Sequence, residues 1–200
     1  MSSEKYQFIA FTVPDYLATF FASKLNTQIK SVITTASHLP GSTKVKYLEI
    51  DRHTHFGTKI LKSVDKSNQP TQQIAPNQLY LRISNYAGNN YDTPRGDRNF
   101  LTLQPNVANA LQHQIKNDFN EALINFVQGA EFAHMQNGWD KSQKRKGIRK
   151  AAILKFCNDF NVSFNQKNLE SFVKMIQRAT KSPTTHVNTT VKKYYQALSC

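Results

Sequence analysis

The spacing of apolar residues changes about halfway along this chain. In the first hundred residues, apolar positions occur in short runs of aromatic and β-branched residues, which are typical of strands. Four such runs cover residues 6–13, 29–35, 44–50 and 79–83. From about residue 105 onward, apolar residues recur every three or four positions, which is the period of an α-helix. The pattern predicts an α+β fold, with a β-containing N-terminal half followed by a helical C-terminal half.

Two segments of the N-terminal half carry helical signals. Apolar residues recur at helical spacing after Pro14 and Asp15, a start that suits a helix because proline is tolerated in a first turn and aspartate complements the helix dipole. We therefore expect a helix over 15–26. Residues 54–66 fit either a short helix or a strand, and Gly57 weakens the helical interpretation.

Three helices are predicted in the C-terminal half. The first covers 106–135, with Asn106 as its N-cap and Asn137-Gly138 as its end. The others cover 147–160 and 165–180. This organisation divides the chain into an α+β region (1–104), a helical region (105–181) and a polar tail (182–200), which together also fit one continuous domain.

Composition narrows the class of protein. The chain has no apolar run long enough for a transmembrane helix and no convincing secretory signal, so we expect a soluble, cytoplasmic protein that does not enter a membrane. Its two cysteines, Cys157 and Cys200, do not suggest a disulfide framework. Cys157 lies in an apolar helical pattern and is expected to be a small buried residue.

Positive charge is concentrated near the C-terminus. The formal net charge is +13. Residues 141–200 contain 13 Lys/Arg and two acidic residues, a net charge of +11, whereas residues 1–140 contain 13 basic and 11 acidic residues, a net charge of +2. An asymmetry of this size favours a polyanionic partner, with nucleic acid as the leading candidate.

The last two predicted helices suit a helix-turn-helix motif, because they are short, basic and joined by a turn. The second helix of such a motif enters the major groove of DNA, where Asn and Gln can bond adenine, and Arg and Lys can bond guanine. The predicted base-reading residues are Asn165, Lys167, Asn168, Lys174, Gln177 and Arg178. The predicted phosphate-binding residues are Lys144, Arg145, Lys146, Arg149 and Lys150.

A weaker candidate for chemistry is the pair His53 and His55. Two histidines separated by one residue can bind a metal ion, and in a strand both would lie on one face. No pair of carboxylates or nucleophile motif accompanies them. We therefore assign no catalytic residue, no metal and no cofactor, and we favour a protein that is not an enzyme.

Three functional hypotheses follow. The first is a non-enzymatic nucleic-acid-binding protein, with DNA favoured over RNA, that acts through its basic C-terminal helices. The second is an assembly or interaction protein of a phage or mobile element, whose helices bind another protein or a second copy of the chain. The third is a metal-dependent nuclease or nicking enzyme that uses His53 and His55.

Overall fold

A computed structural model describes residues 6–34, 43–51, 53–67, 79–84, 100–138 and 145–181. The chain forms two compact units, one up to Asn117 and one from Asp118 onward. Strands occur in the first unit, and the second is helical in its described part, so the predicted α+β class is confirmed. None of the helices in the described part of the chain is long and apolar enough to cross a membrane.

The described residues of the first unit form six strands, two helices and the start of a third helix. In chain order these are β1 (Tyr6–Phe11), α1 (Asp15–Lys24), β2 (Lys30–Thr34), β3 (Thr43–Ile50), α2 (His55–Ser63), β4 (Val64–Ser67), β5 (Leu79–Ser84), β6 (Phe100–Leu103) and α3 (Pro105–Gln136). Helix α3 continues into the second unit.

Four of the strands form a mixed sheet in the order β1-β5-β3-β2. Strand β5 is antiparallel to β1 and parallel to β3, and β2 is antiparallel to β3. The register aligns Ile9, Leu81 and Leu48 across three neighbouring strands, and all three are fully buried. This apolar row lies at the centre of the unit's core. The other two strands, β4 and β6, form a separate antiparallel pair.

Five of the ten residues of helix α1 are buried, and the helix ends in a defined cap. Phe21 packs edge-on against Phe56 of α2, with ring centroids 4.6 Å apart. Asn26 has a left-handed backbone, with φ 52°, and the Thr27 N–H donates to the Ala22 carbonyl at 2.9 Å. This is a Schellman motif, which asparagine tolerates better than most residues other than glycine.

The segment that fitted either a helix or a strand contains both. The Thr54 hydroxyl accepts a hydrogen bond from the Gly57 N–H at 3.0 Å and caps α2, and β4 follows directly from residue 64. The four-residue strands β4 and β6 were not predicted as separate strands. Their pairing with each other, and not a pattern within either segment, defines them.

The first turn of α3 differs from the prediction. The helix begins at Pro105, and the Gln104 carbonyl accepts the Ala108 N–H at 2.9 Å, so Gln104 is the cap and Asn106 is the second residue of the first turn. Proline at the first helical position loses no hydrogen bond, since that N–H would have no partner within the helix. At the other end, Gly138 has a φ of 78°, which agrees with the predicted stop.

The second unit combines the rest of α3 with α4 (Arg145–Asp159) and α5 (Gln166–Lys181). An aromatic cluster joins the three helices. The Phe119 ring lies 5.8 Å from Phe156 and 5.1 Å from Phe172, and Phe126 lies 5.5 Å from Phe156. Phe119, Phe156 and Phe172 are buried, so they form the centre of this helical core.

Candidate nucleic-acid interface

The connection between α4 and α5 has a fixed geometry. Asn161 adopts a left-handed backbone with φ 49°, and the Val162 N–H donates to the Cys157 carbonyl at 2.7 Å. The Asn161 N–H donates to the Asn158 carbonyl at 3.2 Å, which completes a Schellman motif. Val162 is buried behind this turn. The capped end and the buried valine set the point at which the chain leaves α4 and enters α5.

Asn165 is the N-cap of α5. Its side-chain oxygen accepts a hydrogen bond from the Asn168 N–H at 2.9 Å, and its carbonyl accepts the Leu169 N–H at 3.0 Å. The residue predicted to read a base therefore has a structural role in this helix. Asn168, another predicted base-reading residue, is half-buried.

Arg149 forms an ion pair within the second unit. Its Nε lies 2.6 Å from Glu131 Oε1 on α3, and the two side chains are 16% and 12% exposed. A second guanidinium nitrogen donates to the other carboxylate oxygen at 3.4 Å. The geometry approaches the two-bond pairing that arginine makes with carboxylates. Arg149 thus ties α4 to α3, and its charge is compensated by Glu131.

The other cations of α4 differ in their ion pairing. Both Lys155 and Lys150 are exposed, but Lys155 pairs with Asp159 one turn later, at 2.9 Å, whereas Lys150 has no ion-pair partner among the described residues. Arg145 and Lys146 begin the helix, but their side chains lie outside the described residues, as does the whole of Lys144. Of the five predicted phosphate-binding residues, Lys150 alone is described as an exposed cation.

Helix α5 presents a line of cations on its outer side. Lys167, Lys174 and Arg178 are exposed, and none of them forms an ion pair within the described part of the chain. With 3.6 residues per turn, their spacing places them in one row. Leu169, Phe172 and Ile176 occupy the opposite side and are buried. We call Lys167, Lys174 and Arg178 the α5 cation row.

Two further exposed residues lie beside or within this row. Gln177, a predicted base-reading residue, is exposed beside Arg178. Ser171, which was not predicted, lies within the row between Lys167 and Lys174 and is also exposed. A helical projection of the predicted helix would have identified Ser171, because it is four residues after Lys167 and three before Lys174. Gln166 donates to Glu170 at 3.2 Å, so these two side chains partner each other.

The histidine pair does not lie in a strand. His53 is in a turn, where its N–H donates to the Asp51 carboxylate at 2.8 Å, and His55 is the first residue of α2. The alternation that would place both side chains on one strand face therefore does not apply. The described residues include no group of three or more His, Cys, Asp or Glu side chains able to hold a metal ion.

Three charged residues of the sheet in the first unit, Lys30, Glu49 and Arg82, have polar partners. Lys30 Nζ lies 2.5 Å from Glu49 Oε2 across neighbouring strands. The hydrogen bond from Lys30 lowers the pKa of Glu49, and the same bond raises the pKa of Lys30. Arg82 donates to the Tyr47 hydroxyl at 2.8 Å and lies over that ring, 5.1 Å from its centroid.

Cys157 is buried on the inner side of α4, as predicted. Burial raises the pKa of its thiol to about 11, because the apolar surroundings disfavour the thiolate. The thiol therefore stays protonated near neutral pH and has a packing role, while Cys200 lies outside the described residues.

Comparison with known proteins adds no relative: no family model, no curated protein and no solved structure matches this chain.

Proposed function

We propose that this protein binds nucleic acid, with DNA favoured over RNA, and that it does so without being an enzyme. The α5 cation row is the observation that carries the proposal. Its charges are exposed and have no carboxylate partner among the described residues, so they are available to phosphates. A helix-turn-helix role for α4 and α5, and a cytoplasmic location, belong to the same proposal.

The energetic argument rests on counterion release. A lysine or arginine that neutralises a phosphate frees a condensed cation, so affinity falls steeply with salt. Arg149 and Lys155 are already neutralised by Glu131 and Asp159, and they would contribute little. The proposal therefore assigns phosphate binding to Lys150 on α4 and to the α5 cation row.

A charge-matched comparison tests this assignment. One variant replaces Lys150, Lys167, Lys174 and Arg178 with glutamine, and the control replaces Lys24, Lys46, Lys62 and Lys116, which are exposed residues of the first unit. Both variants lose four positive charges. Fluorescence anisotropy with labelled nucleic acid at several salt concentrations should show at least a tenfold loss of affinity for the first and a smaller loss for the control. Equal losses of affinity in the two variants would show that binding depends on net charge alone and not on these four residues.

A second candidate function rests on a separate surface. Leu154 on α4 and Phe164 before α5 are both 39% exposed, and they line a depression of about 410 Å³ together with buried Val162. Exposed apolar residues around a depression are typical of protein contacts. They favour the alternative that the protein is an assembly or interaction protein, as in a phage or mobile element. Light scattering that showed oligomers lost on Leu154→Ser and Phe164→Ser substitution would support it.

A further inference from the structure

We infer that the ligand of the α5 cation row is double-stranded B-form DNA and that α5 enters its major groove; this inference rests on the proposed function. The row alone would attract any polyanion. Two features of the outer side of α5 distinguish duplex DNA from duplex RNA and from single strands. These are the narrow shape of the row and the lack of aromatic side chains beside it.

The row is long, narrow and opposite the core. Lys167, Ser171, Lys174 and Arg178 follow each other at intervals of four, three and four residues, which extends the row over roughly 16 Å at 1.5 Å per residue. The buried side of α5 faces away from it, so the outer side of a single helix carries all three charges. The B-form major groove, about 12 Å wide, admits a helix of this kind.

Double-stranded RNA fits this surface poorly. Its A-form major groove is deep and narrow, and proteins contact RNA duplexes mainly across the wide minor groove. A single convex helix with its charges in one line has no flat surface to lay on that groove. The same geometry therefore favours a DNA duplex over an RNA duplex.

Single-stranded nucleic acid is disfavoured because the outer side of α5 itself carries no aromatic side chain on which bases could stack. Proteins that bind single strands combine cations with exposed aromatic side chains on which bases stack. Phe172 is the only aromatic residue in the sequence of α5, and it is 4% exposed because it packs against Phe119 in the core. The outer side of α5 offers charge and hydrogen bonds, and no ring.

The residues in and beside the row suit different contacts. The small side chain of Ser171 allows the middle of the helix to approach the groove closely. Lys167 and Lys174 carry flexible point charges that suit phosphates. Arg178 has the planar fork that matches guanine O6 and N7, and neighbouring Gln177 can bond adenine N6 and N7. We therefore assign base contacts to Gln177 and Arg178 in the last turn of α5, whereas a typical helix-turn-helix reads bases with the N-terminal residues of its second helix.

The experiment compares three probes of one sequence: duplex DNA, duplex RNA and single-stranded DNA. The native protein should bind duplex DNA at least tenfold more tightly than either other probe. The variant Lys167→Gln/Lys174→Gln/Arg178→Gln should lose this preference, and its slope of log affinity against log salt should fall by about 0.9 for each lost phosphate contact. The variant Lys46→Gln/Lys62→Gln/Lys116→Gln should keep the preference.

Competition then identifies the groove. Methyl green, which occupies the major groove, should displace the protein from duplex DNA, whereas the minor-groove ligand netropsin should not. Displacement by netropsin alone would overturn the groove assignment. Retained duplex binding by the α5 variant would overturn the role of α5, provided that its thermal unfolding matches that of the native protein.

The remaining outcomes separate the inference from the proposed function. Equal affinity for all three probes, lost in the α5 variant, would overturn the duplex assignment and leave nucleic-acid binding intact. Absence of binding to every probe at low salt would overturn both.

Discussion

Helices α4 and α5 look alike in composition but present their charges differently. Both are short, basic and anchored by phenylalanine in the same aromatic cluster. On α4, Arg149 and Lys155 have carboxylate partners, and the exposed surface includes the apolar residue Leu154. On α5, the three cations of the row are exposed with no such partner in the described part of the chain.

This difference shows what charge counting leaves out. The last sixty residues contain 13 basic residues, and a count treats them all alike. In the folded chain, a cation that is paired with a carboxylate helps to hold the unit together, whereas an exposed, unpaired cation contributes to the electrostatic field outside it. The two roles follow from the position of an acidic residue in the folded chain. Glu131 lies 18 residues before Arg149 and still compensates its charge.

The largest expected effect comes from breaking the cluster that supports both helices. Phe156→Ala removes a fully buried ring that contacts Phe119 and Phe126 of α3. We expect the free energy of unfolding to fall by about 3–5 kcal/mol, because the substitution loses apolar burial and leaves a cavity. Chemical denaturation followed by circular dichroism measures this change. Phe164→Ala, at an exposed ring, is the control and should change stability by less than about 1 kcal/mol.

The next effect contrasts two adjacent cations of α4. Arg149→Gln should lower the free energy of unfolding by roughly 1–3 kcal/mol, because Glu131 keeps its mostly buried charge without a partner. Lys150→Gln should leave stability within about 0.5 kcal/mol and weaken nucleic-acid affinity. Thermal unfolding and anisotropy of both variants check the pair. Similar unfolding temperatures for the two would show that the Arg149 ion pair does not stabilise the unit.

A smaller effect separates capping from base contact at Asn165. Asn165→Ala should lower stability by about 1 kcal/mol, because the Asn168 N–H loses its acceptor. Asn165→Ser keeps a capping oxygen and should restore most of that loss. Fluorescence anisotropy then measures the affinity of the serine variant for nucleic acid. If this variant recovers its stability but binds tenfold more weakly, Asn165 contacts nucleic acid as well as capping the helix.

The smallest expected effect concerns the exposed pair in the first unit. The pKa of Glu49 is lowered from 4.5 in the folded protein, so its contribution is present above that pH and is lost as the pH falls through the lowered value. The Tm of the native protein should therefore decline between pH 5 and pH 3 slightly more than that of Glu49→Gln, on the order of 1 °C for a surface pair. Identical declines would show that the pair adds nothing measurable.

Much of the fold follows from local pattern. The helices that end near Gln136, Asp159 and Lys181 were predictable because their apolar residues repeat at helical spacing and each is followed by a turn or proline signal. Strands β4 and β6 were not, since four residues are too few to show alternation and their stability comes from pairing with a partner distant in sequence.

The candidate interface was predictable in part for the same reason. Lys167, Lys174 and Arg178 lie opposite an apolar stripe, so their exposure follows from helical spacing alone. Arg149 is an arginine in a basic helix, as Arg178 is, but its contact with Glu131 depends on how α3 and α4 pack. A shared face for His53 and His55 required a strand, and the helical cap at Thr54 excludes it because α2 begins at His55.

The buried thiol of Cys157 can report how often α4 opens. A reagent that needs the thiolate is excluded twice, by burial and by a pKa of about 11, so modification must wait until the helix opens. In a Cys200→Ser background the rate of labelling then reports how often that opening occurs. A ligand that binds the helical unit should slow the labelling of Cys157 by the same factor by which it suppresses opening. The labelling rate therefore measures how much of the protein is bound, without a fluorescent label on either partner.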